Sequence, residues 1–248
     1  MILTIFMTII FPTIYESDAA LVIDKPSGIM VHEDGRSEEE TVASVLLAKY
    51  PTLIKVGDSG RQGIVHRLDR ETTGVMIVAK TLEAYKYFKK QFKEHTTRKV
   101  YRAIVEGRIK DDTGMISVAL ARAKSDFRKR TTVDPYTEDA RGAEREAITR
   151  YKVLQRVKRE SDGKNFTYVE VFPITGRTHQ IRAHFRSIRH PIIGDDLYGS
   201  SEGKKEATRS MLHAFSLTLL LPQLGEKTFS APIHKDMEET LERLGFLC

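Results

Sequence analysis

The stretch HRLDRETTGVMIVAK, residues 66–80, sets one carboxylate, Asp69, between Arg67 and Arg70 and then runs directly into an apolar segment. A carboxylate can attack an electron-poor carbon such as an anomeric centre, and neighbouring arginines favour its charged form. The same arrangement suits a structural ion pair, so residue type alone leaves both readings open. Three other segments group residues of comparable chemistry. DKPSGIMVH (24–32) contains a Lys-Pro-Ser-Gly turn, RKVYRAIVEG (98–107) sets Lys99 and Tyr101 among basic residues, and ITGRTHQIRAHFRSIRHPIIGDDLYG (174–199) is dense in Arg and His.

Other chemistries find no pattern. His66 and Asp69 lie close together and His179 and His184 are five apart, but no pair of histidines four apart encloses a glutamate, so a zincin helix is excluded and no metal is expected. There is no Gly-Lys-Ser/Thr phosphate loop and no Gly-x-Gly-x-x-Gly turn; Gly57, Gly60 and Gly63 read as loop punctuation. The sole cysteine, Cys248, is terminal, and no serine sits in a Gly-x-Ser-x-Gly elbow, which removes the common thiol and serine nucleophiles. A reducing, cytoplasmic setting fits that cysteine usage.

The elements that must position these residues are legible in part. Short Ile- and Val-rich runs at AALVIDKPSG, GVMIVAK, RKVYRAIVEGR, REAITRYKVLQRV, FTYVEVFPITG and MLHAFSLTLLLP, each ending in Gly, Pro or charge, predict strands. Helices are predicted from Thr41, from Thr81, from near Arg177 and over the terminal DMEETLERLGF. The Thr81 helix carries Leu82, Tyr85, Phe88 and Phe92 as a core stripe opposite lysines. In the Arg177 helix, Thr175 is the expected cap and Ile181, Phe185 and Ile188 the apolar stripe; Arg182, Arg186 and Arg189 then share another face, either a phosphate track or a solvated surface. Residues 123–146 read as a polar loop or irregular hairpin. Strands outnumber helices without regular alternation, so the expected class is α+β with a mixed, mostly antiparallel sheet and flanking helices.

The chain has 248 residues, 40% hydrophobic, enough for one large domain over 1–248. With 40 Lys and Arg against 34 Asp and Glu, its net charge of +6 favours an anionic partner, nucleic acid first, or marks a merely soluble basic protein. The opening MILTIFMTIIF is too short to span a bilayer and lacks a basic leader or cleavage site, so residues 1–16 read as an N-terminal strand or extension, with Met7 an alternative start.

Taken together, the four segments resemble the RluA-type family of RNA pseudouridine synthases. HRLDRETTGVMIVAK is similar to the signature around that family's essential aspartate, with Thr73 for the usual Ser and Val and Met for the usual leucines. DKPSGIMVH resembles the first family motif, RKVYRAIVEG the Lys-x-Tyr segment, and TGRTHQIRAH the arginine motif, followed by Pro-Ile-x-Gly-Asp-x-x-Tyr-Gly at 191–199, all in the family order. The likeness runs from about residue 17 to 233; in LHAFSLTLLLP, Leu221 stands where the family often has His.

The resemblance implies the pseudouridine synthase catalytic fold, no S4 module in so short a chain, and isomerisation of uridine to pseudouridine in structured RNA, ribosomal or transfer. It implies Asp69 as the catalytic aspartate and Tyr101 as the tyrosine on the target base, assisting loss of the C5 proton. Arg182 would be the arginine paired with the aspartate, and Arg67 the residue filling the space of the flipped nucleotide. His66, Arg67, Arg70, Lys99, Arg177, His179, Gln180 and Arg186 are the candidate RNA contacts. No cofactor, membrane or obligatory protein partner is expected, and a monomer is the default. Two rivals stand beside this reading. A non-catalytic RNA-binding or ribosome-assembly factor need not keep Asp69, and an enzyme of small nucleosides would ignore RNA structure.

Overall fold

The computed structural model describes residues 10–33, 39–58, 60–133 and 139–247; most of the expected N-terminal strand, both candidate start methionines, and Cys248 lie outside them. A nine-stranded sheet is the frame. Its strands are β1 (Thr13–Glu16), β2 (Ala20–Lys25), β3 (Thr73–Ala79), β4 (Arg98–Glu106), β5 (Thr113–Ser117), β9 (Ile148–Lys158), β10 (Asn165–Pro173), β11 (Leu212–Leu221) and β12 (Gly225–Ser230). They run in the order β1-β2-β3-β11-β4-β10-β9-β5, with β12 on β11. The β3–β11 pairing is parallel and the other pairings are antiparallel, the mixed, mostly antiparallel sheet expected.

Apolar strands fill the centre because both faces are covered: every residue of β3 is buried. One apolar cluster packs β2 and β3 against the helices α1 (Val42–Lys49) and α2 (Leu82–Lys93). A second packs β4 and β10 against α3 (Gln180–Ser187) and α4 (Lys235–Leu244). Strand β11 serves both, giving Leu217 and Leu219 to the first and Leu212 to the second, and Tyr101 touches both.

Thr41 and Thr81 cap α1 and α2 as the sequence suggests, their hydroxyls accepting from the backbone N–H of Ser44 and Ala84 at 3.1 Å. The predicted stripe of α2 needs correction. Tyr85 and Phe88 are buried, but Leu82 is 46% exposed, and Phe92 packs only partly buried at the edge of the core, where it stacks on His66. The polar segment 123–146 follows the hairpin alternative and extends it: β6 (Leu120–Ala123) pairs antiparallel with both β7 (Arg130–Thr132) and β8 (Ala140–Arg145) in a separate three-stranded sheet. Residues 134–138 of that segment lie outside the described ones. Among the described residues no helix is long and apolar enough to cross a membrane.

Candidate active site

Asp69 sits in the turn that leads into β3, and the DKPSG segment clamps that turn from below. Lys25 is 0% exposed, and its ammonium donates to the carbonyls of Pro26 (2.7 Å) and Arg70 (3.0 Å). Burial pushes this amine down to about 7. The N–H of Gly28 donates to the same Arg70 carbonyl, and Ser27 donates to Glu71 at 2.7 Å. Arg70 is spent on this clamp. Its guanidinium donates to the Gly28 carbonyl and pairs with Glu39 at 2.9 Å, so it does not face the cleft.

Beyond the turn, β3 meets β11 at Thr73–Gly74. Gly74 has φ +111°, and a Cβ there would collide with the backbone carbonyl of Ala214. Only glycine allows this approach, which explains the residue that closes the Thr-Thr-Gly triplet.

The facing wall is the 175–182 segment, and here the sequence reading is corrected twice. The helix starts at Gln180 rather than near Arg177, with His179 at the cap position in a left-handed conformation, φ 56°. Thr175 does not cap it. Instead the Gln180 amide gathers the loop: its oxygen accepts from the Thr175 hydroxyl (2.7 Å) and the Arg177 N–H (2.9 Å), and its nitrogen donates to Ile148 and Thr149 on β9. The three-arginine track also fails. Arg186 and Arg189 are exposed, whereas Arg182 is buried and captured by two carboxylates.

That capture is the centre of the site. Arg182 donates through Nε (2.6 Å) and Nη2 (2.8 Å) to Asp195, which is 0% exposed, and through Nη1 to Oδ2 of Asp69 at 3.0 Å. Asp195 also accepts the N–H groups of Leu197 and Tyr198, so it is fixed before it fixes the arginine. Burial raises the pKa of Asp69, but the charges of His179, Arg182 and Arg67 and the Arg182 hydrogen bond outweigh it and hold the carboxyl below its ordinary value. Burial drives His179 itself toward the neutral form, so the two arginines are the charges that keep Asp69 ionised at neutral pH.

Around this pair opens a cleft of about 460 Å³, within the range of small-ligand sites. Asp69, Tyr101 and Arg182 all line it, as do His66, Arg67, Lys99, Arg177, His179 and Gln180; Arg186 lines a separate, smaller cavity. Tyr101 is held protonated by burial and by the nearby Asp69 charge. A phenolate base is therefore disfavoured, and its expected part in C5 proton loss narrows to that of a neutral ring and hydroxyl. Sequence reasoning gave no role to Asp195, although it stands inside the quoted 191–199 motif, and gave Phe92 a place in the core stripe but none at the cleft. The signal for Asp195 was a carboxylate in a Gly-Asp-Asp turn with no partner yet assigned.

Comparison with known proteins places the chain in one family. Residues 19–187 match the sequence model of the RNA pseudouridylate synthase family. An uncharacterized RNA pseudouridine synthase of Synechocystis sp. is 37% identical over 231 residues, 92% of this chain and 67% of the relative. Ribosomal large subunit pseudouridine synthase D of Neisseria meningitidis serogroup B is 37% identical over 242 residues, 93% of this chain and 60% of the relative. The chain thus spans about two thirds or less of the length of such relatives. Among solved structures, human RNA pseudouridylate synthase domain containing 1 superposes with a TM-score of 0.72 over 94% of each chain at 24% identity, a likeness of fold.

Proposed function

Because the chain belongs to the RNA pseudouridylate synthase family, we propose that it isomerises uridine to pseudouridine in structured RNA, with large-subunit ribosomal RNA as the substrate class. Of ribosomal and transfer RNA, the first is favoured by the relatives named for the ribosomal large subunit. The observation that carries the catalytic reading is the Asp195–Arg182–Asp69 relay. One oxygen of Asp69 is pinned at 3.0 Å by an arginine that is itself locked, and its other oxygen has no partner among the described residues.

The reaction requires the uridine out of its stack, the N1–C1′ bond broken, and C1′ rejoined to C5 with loss of the C5 proton. Extrusion costs a few kcal/mol, least in a loop, which favours a loop or helix-end uridine. Asp69, ionised and pre-oriented, acts on the ribose either by adding to C1′ or by removing the 2′ hydrogen; both routes place its negative charge beside a sugar carbon that becomes electron-poor. Arg182 prevents the carboxylate from turning away and keeps its proton off. Tyr101 offers its ring to the uracil. In this reading Arg67, exposed in the cleft lining, follows the flipped nucleotide, and Arg177 supplies a second cation; their shared place in that lining supports it.

The test is release of tritium from RNA labelled at uridine C5, comparing the wild type with Asp69→Ala. Wild-type release with none from the variant, and RNA binding retained in both, is expected, since Arg182 keeps Asp195 when Asp69 is lost. Equal release by the variant would remove Asp69 from the chemistry; binding without release from any RNA class would favour the non-catalytic reading.

A further inference from the structure

Strand β4 carries three basic residues, and two are neutralised within the protein: Arg98 pairs with Glu226 at 2.7 Å and Arg102 with Glu170 at 2.9 Å. The third, Lys99, makes no hydrogen bond or ion pair with any described residue, although it is partly buried in the cleft wall. An ammonium drawn out of water without a partner is unfavourable, and burial pushes this one down to about 8. Such a group favours an anion as its partner.

A second unpartnered donor lies beside it. The Nε2 of His66 accepts the backbone N–H of Ile77 at 3.1 Å, which leaves the ring proton on Nδ1. Burial holds the imidazole neutral, its pKa pushed down to about 3, with the Lys99 charge adding to the effect. The ring is stacked on Phe92 with centroids 4.5 Å apart, so its orientation is fixed. The Nδ1–H has no partner among the described residues, and His66 lines the same cleft as Lys99. Lys99 and Tyr101 alternate onto one face of β4, roughly 7 Å apart along the strand. A base resting on the tyrosine therefore has its sugar and phosphate within reach of the amine.

We propose that Lys99 and His66 together seat one of the two backbone phosphates flanking the flipped uridine, the ammonium supplying charge and the imidazole a fixed neutral donor. The proposal rests on the synthase reading above and adds to it a recognition element for polymeric RNA. It makes the wall of the active site, and not only its basic rim, responsible for holding the strand.

The experiment uses synthetic substrate RNA tritiated at C5 of the target uridine, with either its 5′ or its 3′ phosphate replaced by an uncharged methylphosphonate. Wild type, Lys99→Met and Lys99→Arg are compared by kcat/KM. In the wild type, replacement at one of the two positions is expected to lower kcat/KM by about 10- to 100-fold, the range for a hydrogen bond to a charged group. Lys99→Met should begin lower by a similar factor and lose no more than about twofold further on that RNA, because the two changes remove the same interaction. Lys99→Arg should keep the sensitivity, and it guards against a variant that merely misfolds. A wild type indifferent to both replacements would overturn the proposal, as would a Lys99→Met enzyme that suffers the full loss again. Absence of wild-type turnover on unmodified RNA would instead sink the synthase reading itself.

Discussion

Asp195→Asn isolates the buried relay. The substitution keeps the shape of the side chain and an oxygen for the Leu197 and Tyr198 N–H groups, but it turns an NH2 toward the arginine nitrogen that now donates at 2.6 Å. Arg182, whose side chain is 8% exposed, is left with Asp69 as its one carboxylate. Removing one partner of a buried ion pair costs about 3–5 kcal/mol, because the remaining charge stays desolvated. For a chain of this size, that corresponds to a fall in melting temperature of about 6–20 °C. Loss of orientation at Asp69 should lower kcat by about 100-fold, with KM less affected. Thermal and denaturant unfolding at pH 7 read the first effect and tritium release the second. Arg182→Met combined with Asp195→Asn should destabilise by several kcal/mol less than the two single changes added together, since the buried charge is gone. A single-variant loss below about 1 kcal/mol, the level of an exposed ion pair, would refute the reasoning, as would strict additivity in the double variant.

Three further outcomes are expected. Gly74→Ala should destabilise by about 4 kcal/mol or more, through a strained φ and a collision with backbone; a melting temperature unchanged within about 2 °C would show that β3 and β11 can separate there. Lys99 shares the cleft with the titratable and charged groups His66, Arg67, Asp69, Lys93, His95, Tyr101, Arg177, His179 and Arg182, and burial lowers it to about 8, so it is protonated below that pH and neutral above. Wild-type kcat/KM should therefore decline as pH rises through about 8, while Asp69, held below the usual carboxylate range, stays ionised throughout; a Lys99→Arg enzyme should lack that limb. Tyr101→Phe keeps the ring and removes a hydroxyl near Asp69, so kcat should fall about tenfold or more with KM nearly constant; an unchanged kcat would confine Tyr101 to stacking.

The central strands were readable because burial on both faces demands unbroken apolar runs, and Thr41 and Thr81 marked helix starts because a capping hydroxyl is a local device. The three-stranded sheet of β6, β7 and β8 was not readable. Most of β7 and β8 is polar and incompletely buried, so no alternation betrays it. The start of α3 was misplaced because Gln180, a side chain that reaches five residues back and across to β9, does the work that Thr175 was expected to do. Periodicity put Arg182 beside Arg186 and could not report the carboxylates waiting inside. Phe92 fits a core stripe by spacing and does pack on that core, but spacing could not report that it also lines the cleft. Asp69, Tyr101 and Arg182 were singled out through their motifs; that the arginine beside Asp69 is itself held by Asp195 was not, because only the folded chain brings Asp195 near.

The position of β11 makes the completeness of the site depend on a strand late in the chain. Strands β1 to β3 and strands β4, β10, β9 and β5 touch through β11, which pairs with β3 on one edge and β4 on the other. Asp69 belongs to the first group, and Arg182, 113 residues later, to the second. The second group is completed later still, since α4 at Lys235–Leu244 packs on it after β11 in the chain. The strand that joins the halves carrying the carboxylate and the arginine, residues 212–221, follows both of them in the chain.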